Sequence, residues 1–431
     1  MKHCLAALGL CALSTTAFAQ TAAPVLPPSV GWQEIGLMQG YPPAEDKRVT
    51  RLNWLKYPNT VYSLQHIREL FPTRLVSRGM APLRPLPNGK PLKEFTFRND
   101  KGQDSSFLQF QRDTYADAIL VLHKGKIVYE RYDHGMTPTT PHLLFSSTKS
   151  FVGLIAQMLV SDGKLNETAR VGDIVPELKD GAFGGVTVRD VMDMRTGIKF
   201  DENYLDPKAD IHAYMIGADF YPAPAGVAAP RNLYQAMTAL KDRVGPAGDF
   251  FNYQSVNTDV LAWILRKTTG RAISDLVSDM IWKPIAAEQD AAFLVDPLGA
   301  EVGSAGLNIV LRDFARFGQM LAQGGQFRGK QIVSKAAMDA ITKGGDPKAF
   351  NKVAPQPTRP GWAYRSQFWM TNNENGGFWT LGVGGQRLYV DPKNQLVVAK
   401  FSSHPVPGNA FTDKAHEAAY AALLKELTKK K

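Results

Sequence analysis

The hydrophobic pattern of this chain changes period several times, and each change marks an element. Residues 118–122 and 127–132 are apolar runs around a Lys124-Gly125-Lys126 turn, which predicts a β-hairpin. An apolar, helix-like run follows at residues 151–160 and stops at Gly163. Residues 186–283 are helical and loop-rich, with the clearest periodicity at 188–194 and 258–267. A helix over 311–323 ends at Gly324-Gly325. Strand patterns return at 378–383, 386–390 and 395–401, the last two joined by a turn at 391–394. Residues 413–430 close the chain as an amphipathic helix with Ala415, Ala418, Ala419, Leu423 and Leu424 on one face.

Strands at both ends with helices between them predict a mixed α/β (α+β) fold. An antiparallel sheet would be built from N- and C-terminal segments, flanked by helices, with a mostly helical subdomain beside it. The expected division is an irregular, proline- and aromatic-rich segment over 20–95, the first part of the α/β domain over 96–185, the helical subdomain over 186–300, and a return to the α/β domain over 301–431. A cleft is expected between the two bodies.

Composition adds a compartment. Lys2, an apolar stretch at residues 5–13 and Ala17-Phe18-Ala19 read as a signal peptide over 1–19, cleaved after Ala19. The stretch is too short for a membrane span. Both cysteines, Cys4 and Cys11, lie within it, so the mature chain would hold no disulfide or thiolate. A periplasmic or secreted protein is expected. The formal charge of +10 is spread along the chain, with residues 429–431 as the only basic run. No basic stripe with interleaved aromatics points to nucleic acid. The histidines lack metal-binding spacing, and His134 and His142 are expected at the surface or beside the site. Whether the chain forms a homodimer stays open.

The candidate chemistry begins at Ser146 and Lys149. Their spacing is nearly one helical turn, at the head of the apolar run that begins at residue 151. A partly desolvated amine can activate a hydroxyl, and a helix start offers unpaired N–H groups to an oxyanion. Ser146 would serve equally well as an N-cap. A second copy of the spacing, Ser161 and Lys164, falls where the helix ends, and there no free N–H groups face the serine. Tyr253 is a candidate proton carrier if an adjacent ammonium lowers its hydroxyl, or else a packing residue. Ser255 heads the next helical run, where it can cap.

Ser146-x-x-Lys149, Tyr253-x-Ser255 and a late glycine-bearing strand, in this order, resemble the serine β-lactamase and penicillin-recognising superfamily. Residues 186–197 resemble the segment that leads into the helical domain in its class C-like members, and residues 200–207, 253–264 and 382–392 are similar to its nylon-oligomer (6-aminohexanoate-dimer) hydrolase branch, which is esterase-like. The resemblance runs over 121–403, with a weaker match at 54–78. It implies that Ser146 is the acylated nucleophile and that Lys149 and Tyr253 form its proton network. It further implies that Tyr204 closes over the substrate, that Ser255 replaces an asparagine, and that the Val383 N–H joins that of Ser146 in an oxyanion hole. No metal or organic cofactor is implied.

One departure redirects the substrate. Thr380-Leu381-Gly382 stands where β-lactamases carry K-T-G, and the look-alikes at 195–197 and 267–270 fall at helix ends in the wrong chain order. The missing lysine points away from penicillins and towards small esters or linear amides of the 6-aminohexanoate type. Two other readings stay open: a D-alanyl-D-alanine peptidase or weak β-lactamase, and a non-catalytic penicillin-binding-like sensor.

Overall fold

The computed structural model describes residues 26–226, 228–353 and 359–429; the expected signal peptide lies outside them. Its centre is a seven-stranded antiparallel sheet in the order Ala363–Arg365, Phe368–Met370, Phe378–Gly382, Gln386–Asp391, Leu396–Ser402, Ala116–His123, Lys126–Tyr132. The N-terminal hairpin joins the C-terminal strands through Val398↔Val121 and Ala399↔Leu120.

Alternation along these strands sorts side chains into two cores. Ala118, Leu120, Leu122, Val397 and Ala399 face one way, into the core that holds Phe314, Phe317 and Leu321 of the helix Leu311–Ala322. Ile119, Val121, Leu396 and Val398 face the other, against Ala419, Tyr420 and Leu423 of the helix Asp413–Thr428. Because both faces are covered, these strands read as continuous apolar runs rather than alternating ones.

A second, four-stranded antiparallel sheet runs Thr73–Val76, Ala291–Leu294, Leu307–Val310, Pro141–Leu143. Its strands are only three or four residues long, and the two central ones are buried throughout, so no alternation announces them. Thr73–Val76 belongs to the proline-rich opening segment, which therefore contributes a strand that its composition does not suggest. Between the two sheets' strands the chain is helical, chiefly Lys149–Ser161, Asp210–Gly217 and Val256–Thr269. Among the described residues, no helix is long and apolar enough to cross a membrane.

His142, expected at the surface or beside the site, is wholly buried. Its Nε2 meets Asp117 Oδ2 at 3.1 Å, while His134 Nδ1 meets Oδ1 at 2.7 Å and the Ser403 hydroxyl donates to the same carboxylate. Burial alone would raise Asp117; the hydrogen bonds and charges of the two histidines outweigh it and hold the carboxyl well below the ordinary range. The pair ties the hairpin strand to the small sheet.

Trp54 anchors the opening segment. Its buried ring stacks on Phe145 at 6.2 Å and 22° and meets Phe71 and Phe220 edge-on, while its Nε1–H donates to the Phe220 carbonyl at 2.8 Å. Trp54→Ala is expected to lower the stability of the whole chain by about 3–5 kcal/mol in urea unfolding. A loss below about 1 kcal/mol would show that the segment lies on the body without supporting it.

Candidate active site

The strand Pro141–Leu143 delivers the chain to the site. Leu144 N–H donates to the Leu307 carbonyl at 2.8 Å, and Phe145 then takes a positive φ of 45°. A non-glycine residue held this way costs about 1–3 kcal/mol and persists only where packing imposes it; here the Trp54 ring backs the Phe145 ring. A 3₁₀ turn over Phe145–Thr148 runs directly into the helix Lys149–Ser161. Ser146 caps neither element with its side chain. Its hydroxyl is turned instead to Lys149, whose Nζ lies 2.9 Å away.

Lys149 is wholly buried. Besides Ser146, its Nζ donates to Ser255 Oγ at 3.0 Å and to the Ser304 carbonyl at 2.8 Å. Burial pushes the amine down to about 8, with the charges of Glu202 and Asp259 pulling the other way. Tyr253 hydrogen-bonds Ser146 through its hydroxyl, and its ring stacks on Trp369 at 5.3 Å. The expectation that an adjacent ammonium lowers this phenol is reversed. Burial, reinforced by the Glu202 charge, drives Tyr253 far above its ordinary value, and Lys149 Nζ approaches the ring face, 5.2 Å from its centroid. Of these two groups the amine is therefore the more easily found neutral, and the phenol is protonated at rest.

Ser255 lies at the start of the helix Val256–Thr269, yet its side chain makes no capping bond. Its hydroxyl donates to Glu202 Oε1 at 2.7 Å, and its N–H donates to Glu202 Oε2. Tyr204 donates to the same Oε1 at 3.1 Å. Glu202 had no signal of its own in the sequence, although it sits within the 200–207 match. Asp259, also unforeseen, is one helical turn beyond Ser255, a spacing that places both on one face. It accepts from Tyr214, from Gly303 N–H at 2.7 Å and from the Ser304 hydroxyl.

Beside Ser146, the strand Phe378–Gly382 passes into a turn over Val383–Gly385. A Cβ on Gly382 would stand 2.2 Å from the Leu144 carbonyl oxygen and 3.2 Å from Ser146 N, so only glycine allows this approach of two backbones. Among the described residues, no protein acceptor engages the N–H of Ser146 or of Val383. An N–H without a protein acceptor is free to meet an oxyanion.

The strand position of the missing lysine holds Thr380, which is buried. Lys267 of the look-alike motif sits at the end of the helix Val256–Thr269 and pairs with Glu177 at 2.7 Å. Ser161 ends its helix with Gly163 at a φ of 69°, and Lys164 there pairs with Asp162 at 3.5 Å. Both look-alikes are structural termini.

The beta-lactamase family profile matches residues 74–423. A 6-aminohexanoate-dimer hydrolase of Paenarthrobacter ureafaciens is 32% identical over 367 residues, 85% of this chain and 91% of that protein. A Bacillus anthracis protein assigned to the same hydrolases has a solved structure that superposes with a TM-score of 0.81 at 30% identity, covering 89% of this chain and 98% of that one. A family VIII carboxylesterase shares the fold at a TM-score of 0.51 and 17% identity, over 70% of this chain and 91% of its own. The chain belongs to the beta-lactamase family of serine hydrolases, in the branch of the 6-aminohexanoate-dimer hydrolases.

Proposed function

We propose that this hydrolase is exported and cleaves small esters or linear amides, 6-aminohexanoate oligomers among them, through an acyl-enzyme on Ser146. The observation that carries the reading is the buried Lys149 amine, 2.9 Å from the Ser146 hydroxyl and lowered to about 8. A neutral amine there takes the Ser146 proton as the oxygen attacks the carbonyl carbon. The oxyanion rests on the N–H groups of Ser146 and Val383, each such donor contributing about 2.7–4 kcal/mol in the transition state. The Tyr253 hydroxyl gives its proton to the departing alkoxide or amine, and the proton that Lys149 took from Ser146 replaces it on the phenol oxygen. Water then enters, yields a proton through the same groups, and releases the acid. Tyr204, whose hydroxyl rests on Glu202, is the residue that would close over the substrate.

Thr380 in place of a lysine leaves that strand without a cation for a lactam carboxylate. This favours linear substrates, as does the kinship with enzymes of the 6-aminohexanoate dimer. Export follows from residues 1–19 and the confinement of both cysteines to them.

A fluorophosphonate is expected to label the folded protein at Ser146 and to leave Ser146→Ala unlabelled, as read by peptide mass; an unlabelled wild type would overturn the assignment. Tyr253→Phe is expected to keep its melting profile and lose about 10²–10⁴-fold in kcat on an unactivated amide. Unchanged turnover would make the tyrosine a packing element. Secreted protein is expected to begin at Gln20, and N-terminal sequencing that finds Met1 on the mature protein would remove the export assignment.

A further inference from the structure

Hydrolysis by this site needs a neutral Lys149 at the pH of a cell envelope, and the proton it must lose has one continuous route away from the nucleophile. Lys149 Nζ is 3.0 Å from Ser255 Oγ, and Ser255 Oγ is 2.7 Å from Glu202 Oε1. Each hydrogen bond donates onward in the same direction, from amine to hydroxyl to carboxylate. The second carboxylate near the amine has no such route. Asp259 accepts from Tyr214, from Gly303 N–H and from the Ser304 hydroxyl, whereas Nζ reaches Ser304 at its backbone carbonyl, which accepts a hydrogen bond but carries no proton to pass.

We propose that Glu202 is a positioning and proton-holding residue for Lys149, acting through the Ser255 hydroxyl, and that this relay frees the amine without release of a proton to water. The step balances. One N–H bond of the ammonium breaks as an O–H forms on Ser255, while the original Ser255 O–H breaks and a carboxylic acid O–H forms on Glu202. The pair keeps its net charge, and Lys149 is left as the base that the acyl-enzyme reading requires. That reading is the ground on which this inference rests.

The surroundings suit the transfer. Burial pushes the Glu202 carboxyl up and the Lys149 amine down, so separated charges are disfavoured on both sides. Facing Glu202 are Lys149, Ser255, Tyr204 and, at longer range, Tyr253, Tyr214 and Tyr364. Facing Lys149 are Glu202 and Asp259, with the Tyr253 ring at its side. Of the further cations, Arg359 acts on Tyr253 and is paired with Asp413 at 2.8 Å, and Arg266 acts on Asp259 and is paired with Glu301 at 2.8 Å. Tyr204 ties its hydroxyl to the same carboxylate oxygen that would receive the proton, so the state of Glu202 also bears on Tyr204.

Two measurements on the full mature chain test the relay. Difference infrared spectroscopy of wild type against Glu202→Gln at pH 7 is expected to show the C=O stretch of a protonated carboxylic acid in the wild type, weakened in Ser255→Ala and kept in Ser255→Thr. The pH dependence of Ser146 labelling by a fluorophosphonate is the second readout. The wild-type rate is expected to extend into neutral pH, whereas Ser255→Ala loses about tenfold per pH unit on the acid side of its amine's own ionisation. Ser255→Thr restores the wild-type profile. Absence of a Glu202 acid band, or a Ser255→Ala profile that superimposes on wild type after scaling, overturns the relay. A wild type that takes no label at any pH overturns the Ser146 reading instead, and the infrared comparison still decides the state of Glu202.

Discussion

One dehydrated amine governs this site. Lys149 is buried with three hydrogen-bond acceptors and no direct contact with a carboxylate, so its charge is solvated by a fixed set of oxygens rather than by water. A lone buried cation is costly, and the structure meets the cost by weakening the charge itself rather than by neutralising it with an ion pair. The partners come from three parts of the chain: the nucleophile turn, the start of the helix Val256–Thr269, and the loop before Leu307–Val310. Holding them together is the task of the two sheets and the helix between them.

The contrast with Asp117 shows that burial by itself does not decide a group's state. Both residues are sealed from water, but Asp117 is met by two histidines and a serine hydroxyl, and its charge is retained. Lys149 meets only neutral oxygens at contact distance, and its charge is made easy to lose. The same desolvation thus accompanies a charged structural anchor in one place and an amine that readily loses its proton in another, according to the partners supplied.

The sheet, its antiparallel hairpin, the nucleophile helix and the C-terminal helix were legible because long apolar runs and turn residues mark them. The small sheet was not, since its strands are too short for a period to register. At the site, Ser146, Lys149, Tyr253 and Ser255 were findable from spacing, order and resemblance, and the structure brings them together. Glu202 and Asp259 were not, because nothing local distinguishes a buried carboxylate from a solvated one. The direction of the Tyr253 shift was misjudged for a related reason: proximity to Lys149 was foreseeable, whereas approach to the ring face and the depth of burial depend on Trp369 and Tyr364, distant in sequence.

Trp54 lies ahead of the stretch that matches the family profile, yet its ring sets the back wall of the residue before the nucleophile. Reactivity and motif are therefore carried by different parts of the chain. Changes to the opening segment can retune how Phe145 presents Ser146 while every recognisable catalytic residue stays the same. A comparison of this chain confined to the motifs would miss that support.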